Sequence, residues 1–503
     1  MTRFRLPIVI LIAVAIVLAA GGWLLAQESA QAQVPFDRYF LDKALRFNLY
    51  QAGDAREESV ALDQIYEEGL WPESRTHLID PFTHGRYAVE LYEVASNRLI
   101  YSRGFDTTFA EYRTTTPALN GVQRVFQRSV RVPEPKRPFL FVIEARDDHH
   151  VLHPIFSRVV DPGDYHIIRE TNAGGGFIYE AQTSGDPHGK VDLAFIAEGY
   201  TAADRDKFKA DVDRFTAYFF SVEPYKSARD RFNIRGVFHP SPERAMDEPR
   251  QRVYRKTLLN ASFNAFDLDR YMLIDEDFRM HEIAAEVPYD AIIVLVNSPR
   301  YGGGSICFDY CVSTVDNPLS LQVCIHEFGH SFAGLADEYY SSEVSYNDFY
   351  PKGIEPLEPN ITALLDPPNI KWNGLLSPGI DIPTEYGKDQ IDALQAELGK
   401  NRDERAREME EAKKSGAAAA RLSKIEAKYR QADAAIAKKI EDVRKKYAWL
   451  EDKVGAFEGA GYASKGLYRP QMYCIMFSNA RGEFCRVCQK AIKQMIDYFC
   501  ESN

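Results

Sequence analysis

His326 and His330 stand four residues apart with Glu327 between them, in the stretch HEFGHSFAGLADEY that runs from 326 to 339. Residues four apart share one face of an α-helix, so both imidazoles can reach a single metal ion while Glu327 holds a water beside it. Two neutral imidazoles and a carboxylate able to take a proton are the makings of a hydrolytic zinc site. The plainer alternative is a pair of surface histidines on an amphipathic helix. The residues after His330 decide between the two.

A helix continuing through Gly334 would carry Asp337 about 10 Å beyond His330, too far to share its metal. A helix ending at Gly334 removes that difficulty, because glycine takes up the left-handed conformation that turns the chain back. The metzincin pattern HExxHxxGxxH uses such a glycine to return a third ligand three residues later. Here Gly334 comes one place late and the residue three further on is Asp337, an acid where that pattern has histidine. Glu338, its neighbour, is the local competitor for the role. Met476, in YCIMFSN, stands in the order at which metzincins place a methionine turn beneath the metal, although a lone methionine is more often core packing.

Several elements must hold these residues in place. Asn317 and Pro318 supply an N-cap and a first-turn proline, so a helix starting at Pro318 carries both histidines. Upstream, VDLAFIAEGY, FNIRGVF and YDAIIVLVN read as buried strands, and Phe208, Val212, Phe215 and Phe219 recur at helical spacing between the first two. That layout assigns 191–503 to an α/β catalytic domain. Residues 34–168 carry short β-type runs (RYAVELYEV, NRLIYSRGF, RVFQRSVRVP, FLFVIEAR) punctuated by turn residues, the pattern of a β-sandwich. The stretch 169–190 reads as a linker or loose hairpin. Between 388 and 450, Leu422, Ile425, Tyr429, Ala432, Ile436, Ile440, Val443, Tyr447 and Leu450 form a heptad stripe with charged flanks. This segment is expected to be an inserted antiparallel coiled-coil hairpin, a protruding spacer without chemistry of its own. The fold class is therefore α+β and multidomain.

Length and composition agree. A chain of 503 residues exceeds one core, and 45% apolar with 12% aromatic residues marks a folded protein. The net charge of -12 argues against nucleic acid or an anionic membrane surface as the main partner. In residues 1–33, Arg3 and Arg5 precede an apolar run to about Ala26, and Ala30 and Ala32 offer an A-x-A cleavage site. An export signal is the leading reading and an uncleaved N-terminal membrane anchor the alternative, since the run is long enough to span a bilayer. Either places the remainder in a secreted, periplasmic or cell-surface location. All seven cysteines lie at or beyond Cys307. An exported chain permits disulfides, and the odd count leaves at least one thiol over, with Cys324 the first candidate. CRVC (485–488) offers half of a zinc knuckle, but no second CxxC completes it, so structural disulfides are expected.

The ordered motifs over nearly the whole chain resemble the IgA-peptidase-like zinc metallopeptidases. The resemblance rests on LDQIYEEGLWPESRTHLID, LIYSRGFDTTFAEYRTT and VDPGDYHI in the first half. In the second half it rests on FIAEGYTAADRDKFKADVDRF, YGGGS, HEFGHSFAGLADEY, GAFEGAGYASKGLYRP, CIM and FCRVC. It implies an N-terminal β-sandwich, a metzincin-like peptidase domain, one catalytic zinc held by His326, His330 and Asp337, and Glu327 as general base. The heptad hairpin departs from it. The expected function is an exported zinc-dependent endopeptidase acting on protein or peptide substrates. A non-catalytic surface-binding protein retaining a zinc site is the alternative, against which the intact Glu327 argues. Oligomeric state stays open, because the hairpin could also pair between chains.

Overall fold

The computed structural model describes residues 34–169, 175–341, 344–347, 349–478 and 481–500, so segment 1–33, read from sequence as an export signal or anchor, lies outside the described residues. The first domain is built from seven antiparallel strands: β1 (Phe40–Gly53), β2 (Glu58–Glu67), β3 (Tyr87–Glu93), β4 (Arg98–Phe105), β5 (Arg124–Pro135), β6 (Phe139–Arg146) and β7 (Leu152–Val160). They form a three-stranded sheet, β2-β1-β5, and a four-stranded sheet, β4-β3-β6-β7. Period-two alternation sends Tyr87, Val89 and Leu91 of β3 and Phe139, Phe141 and Ile143 of β6 to the inner face. There they meet Phe47 of β1 and Val130 and Val132 of β5, with Phe47 stacked on Phe141 at 4.0 Å between ring centroids. Each such aromatic buried contributes about 1.5–3 kcal/mol.

The sandwich is pinned to the second domain. Along β1 the residues Ala44 to Leu49 are all buried. The strand's outer face is closed by Arg46, which donates to Glu68 at 2.6 Å and to the Phe278 carbonyl at 3.4 Å, and by the Tyr50 ring against Phe278 at 5.2 Å.

That second domain holds a six-stranded sheet in the order β14-β15-β13-β9-β10-β8. Its strands are β8 (Phe177–Gln182), β9 (Val191–Glu198), β10 (Phe232–Phe238), β13 (Ala291–Val296), β14 (Gly303–Ile306) and β15 (Tyr310–Thr314); β11 (Ser262–Phe263) and β12 (Met272–Leu273) make a small ribbon beside it. The four central strands run parallel, while β14 and β8 run antiparallel at the two edges. The stretch expected as a linker thus contains β8, an edge strand of this sheet. Its glycine-rich approach and polar tail hid a short strand whose pairing partner, β10, lies some fifty residues on.

One face of the sheet packs on α1 (Arg205–Phe219), α3 (Ser320–Ala333) and α6 (Arg486–Phe499), and the other on α2 (Asp277–Ala284) and the loops around it. Alternate residues of β9 serve the two layers: Leu193, Phe195 and Ala197 face one, Ala194 and Ile196 the other. Beyond α3 the chain forms α4 (Lys388–Lys414), α5 (Ala419–Lys446) and the hairpin β16 (Phe457–Ala460) and β17 (Ala463–Arg469) before reaching α6.

Helices α4 and α5 lie antiparallel. Ile391, Leu394 and Leu398 pack on Ile436, Ile440 and Val443, and Met409 and Ala412 pack on Leu422, Ile425 and Tyr429. Asn401 to Asp433 at 3.1 Å and Lys428 to Glu408 at 2.9 Å fix the same register from the flanks.

The expected disulfides do not form: all seven cysteines are free thiols, and Cys324 is buried on the motif helix itself. Cys474 and Cys488 come near each other, but their sulfurs are 3.7 Å apart, against about 2.05 Å for a disulfide. Among the described residues no helix is long and apolar enough to cross a membrane.

Candidate active site

Helix α3 begins two residues later than Pro318. The Asn317 side chain still accepts the Leu319 N–H at 3.1 Å, and the Ser320 hydroxyl accepts the Asn317 N–H at 3.2 Å. The helix stops at Gly334, whose φ of 59° and ψ of 33° are left-handed, with its N–H donated to the His330 carbonyl at 3.0 Å. That reversal brings Asp337 back over the helix. Asp337 Oδ1 lies 3.0 Å from His326 Nε2 and 3.3 Å from His330 Nε2, and the two Nε2 atoms are 3.2 Å apart.

The other ring nitrogens are committed. His326 Nδ1 donates to the Ile475 carbonyl at 3.1 Å and His330 Nδ1 to the Leu335 carbonyl. These contacts fix the tautomer and aim both Nε2 lone pairs at one point. The remaining oxygen of Asp337, Oδ2, accepts the Tyr462 hydroxyl at 2.7 Å, while Oδ1 is buried without a hydrogen-bond partner. A tetrahedral zinc with metal–ligand distances of about 2.0–2.1 Å separates its ligand atoms by about 3.3–3.4 Å. The triangle of 3.0, 3.2 and 3.3 Å fits one face of such a tetrahedron.

The electrostatics favour a cation at that point. Burial alone would lower the His330 imidazole, but the Asp337 carboxylate outweighs burial and lifts it to about 9. Burial would raise Asp337, and the two imidazoles instead hold it well below the usual carboxylate range.

Glu327, one helical step from His326, projects beside this triangle and accepts the Ser305 hydroxyl of β14 at 2.7 Å. Beneath, Met476 is fully buried, and its sulfur lies 3.0 Å from where a Cβ on Gly329 would stand, so a glycine at 329 lets the turn approach the helix. Glu338 points elsewhere. It is 0% exposed, its Oε1 accepts from Asn360 at 3.0 Å, and its neighbours are cysteines rather than the histidines.

The site opens on a cleft of about 590 Å³. One wall comes from the first domain, with Arg86, Asp106, Glu111, Arg146 and His150, and the other from Arg270, Tyr271, Tyr339, Tyr346 and Tyr462. Tyr271 and Tyr346 both donate to Glu111, Tyr346 at 2.8 Å, and burial pushes that carboxyl up to about 7. No residue of the α4–α5 hairpin lines the cleft.

The family described as IgA Peptidase M64 matches residues 179–496, and its companion, Peptidase M64 N-terminus, matches 35–157. The chain belongs to the IgA peptidase M64 family. A search of curated proteins finds no match to it. The M64 family assignment makes this chain a peptidase, and its two matched regions correspond to the sandwich and to the domain that carries α3.

In this M64 peptidase, sequence reasoning singled out His326, Glu327, His330 and Asp337; the structure brings His326, His330 and Asp337 together at one point, and Glu327 lines the same cleft. It missed Ser305 and Tyr462. The signal for Tyr462 was present in GAFEGAGYASKGLYRP, and that for Ser305 in YGGGS, but neither stretch says which residue it will touch.

Proposed function

We propose that the protein is an exported, zinc-dependent endopeptidase in which His326, His330 and Asp337 hold the metal and Glu327 is the general base. The observation that carries this reading is the triangle of two Nε2 atoms and the partnerless Asp337 Oδ1, set beside a carboxylate and opening on a cleft shared by both domains. Zinc, when bound, supplies a Lewis acid that acidifies water and polarises the scissile carbonyl.

The chain's own residues do the rest. The Ser305 hydroxyl holds one oxygen of Glu327, so the carboxylate keeps its orientation while it takes a proton from the attacking water. Glu327 then passes that proton to the departing amine, which must leave protonated. The carbonyls of Ile475 and Leu335 keep the imidazoles from rotating, and Tyr462 holds Asp337 by its outer oxygen. The tyrosine-rich wall of the cleft offers rings to pack on a substrate chain, while the Tyr271, Tyr346 and Tyr462 hydroxyls are held by Glu111 and Asp337. Export is inferred from the basic and apolar pattern of residues 1–33.

The test is cleavage of a peptide library by the purified, zinc-loaded chain, with mass spectrometry of the products. Cleavage inside peptides, lost on chelation and restored by zinc, is the expected result. A zinc-loaded protein that cuts nothing would return the surface-binding alternative to the front.

A further inference from the structure

Among the described residues, another concentration of donor atoms adjoins the first through Glu338, the neighbour of Asp337. Cys474, Cys485, Cys488 and Glu338 are all buried, and one donor atom from each falls within 4.8 Å of the others. Cys474 comes from the turn before Met476, and Cys485 and Cys488 from the start of α6. Glu338 comes directly after Asp337.

Three features of this cluster are unlike ordinary core cysteines. The distances are those of a coordination shell. A tetrahedral ion with metal–sulfur bonds of about 2.3 Å holds its sulfurs about 3.8 Å apart, and with one oxygen ligand the sulfur–oxygen edge is about 3.6 Å. Cys474 Sγ to Cys488 Sγ is 3.7 Å, and Glu338 Oε1 lies 3.2 Å from Cys488 Sγ and 3.8 Å from Cys485 Sγ.

The sulfurs are also placed to carry negative charge. Cys485 is the N-cap of α6, where the helix dipole favours an anion, and its sulfur accepts the Cys488 N–H at 3.4 Å. The Cys485 N–H in turn points at Cys474 Sγ at 3.2 Å. Finally, Glu338 is 0% exposed and its Oε2 has no hydrogen-bond partner. A carboxylate buried that way is costly unless something positive satisfies it.

We propose that Cys474, Cys485, Cys488 and Glu338 form a second, structural zinc site. Soft thiolates in a closed tetrahedron select zinc over the hard divalent cations, and four protein ligands leave no open position for chemistry. Binding displaces the thiol protons to solvent. The site accounts for the three cysteines staying reduced, since bound thiolates are withheld from oxidation. It also ties three separate segments together at the points that matter. Glu338 adjoins Asp337, and Cys474 adjoins Ile475, whose carbonyl orients His326. The proposal does not depend on the peptidase reading, because it concerns a different set of donors.

The experiment is metal counting by native mass spectrometry on the full chain, wild type and His326→Ala/His330→Ala. About two zinc ions are expected in the wild type and about one in the variant. Cobalt replacing the retained ion should show the near-ultraviolet sulfur-to-cobalt charge transfer that a histidine–carboxylate site cannot give. Adding Cys485→Ser and Cys488→Ser should remove both ion and band. Should that variant fail to fold, thiol titration of native wild type serves instead: three thiols should become reactive in step with release of one zinc. A wild type with one zinc, lost in the histidine variant, would overturn the site. So would a disulfide among the three cysteines, or bound cobalt without the charge-transfer band.

Discussion

The Tyr462 hydroxyl donates to Asp337 Oδ2 at 2.7 Å, and the other oxygen of the same carboxylate is the one that faces His326 and His330. Tyr462 has a φ of 64°, an uncommon conformation for a bulky residue, at a turn tied to the Asp337 segment. The Gly461 N–H donates to the Asp337 carbonyl at 2.9 Å and the Tyr462 N–H to the Tyr339 carbonyl at 3.0 Å. The strand pair β16–β17 thereby sets which oxygen of Asp337 is turned to His326 and His330.

Tyr462→Phe removes that hydroxyl and little else. Partners of this kind typically contribute about 10–100-fold in metal affinity. Competition with a zinc chelator should show a loss in that range while the circular dichroism spectrum is unchanged. Wild-type affinity in the variant would mean that Tyr462 does not orient the ligand.

Glu327→Gln keeps the shape and the contact to Ser305 but cannot accept a proton. Peptide cleavage should fall by about 10²–10⁴-fold with zinc content preserved. Activity near wild type would exclude Glu327 as the base.

Arg128 tests the join between the domains. It pairs with Asp309, lies 3.9 Å from Asp277 and donates to the Phe308 carbonyl at 3.3 Å, with all three charged side chains buried. The Ser129 N–H adds a bond to Asp277 at 2.6 Å. Arg128→Leu strands two carboxylates, although His281, 2.9 Å from Asp309, offsets part of the loss. Breaking a buried pair from one side costs about 3–5 kcal/mol, so a clear drop in the denaturation midpoint is expected. An unchanged midpoint would show that the cluster does not hold the domains.

The helical hairpin should be dispensable for the chemistry. A variant in which a short Gly/Ser turn replaces residues 393–442 keeps Lys388 and Asp392, and with them the 2.9 Å bond from Tyr340 to Asp392. It should bind zinc and cleave short peptides at rates within a few-fold of wild type, because the removed residues line no part of the cleft. Loss of the metal from a folded variant would overturn the separation.

The range of each interaction decides how much of the fold and the site is legible in the sequence. His326, Glu327 and His330 are read from helical period alone, and Gly334 signals a turn because few other residues adopt its conformation. Strands β3 to β6 show in the sequence through alternation or continuous apolar runs. Strand β1 does not: its Ala44–Leu49 run is buried on both faces and interrupted by a bulge at Asn48/Leu49, so no period survives. Ser305 and Tyr462 reach the site through sheet pairing, which no local pattern encodes. The cysteines misled for a related reason. CRVC looked like half of a motif because the partners proposed for it come singly, Cys474 from 11 positions before Cys485 and Glu338 from 147 positions before it.

The bond from His326 to the Ile475 carbonyl spans 149 positions. A chain emerging from the ribosome presents HEFGH long before it presents Ile475, Tyr462 or the start of α6. Until those segments arrive, the imidazole of His326 lacks the Ile475 carbonyl and Asp337 lacks the Tyr462 hydroxyl. The two histidines are therefore made well before the segments that orient them, and the site's geometry is a product of the folded chain, not of the HEFGH stretch alone.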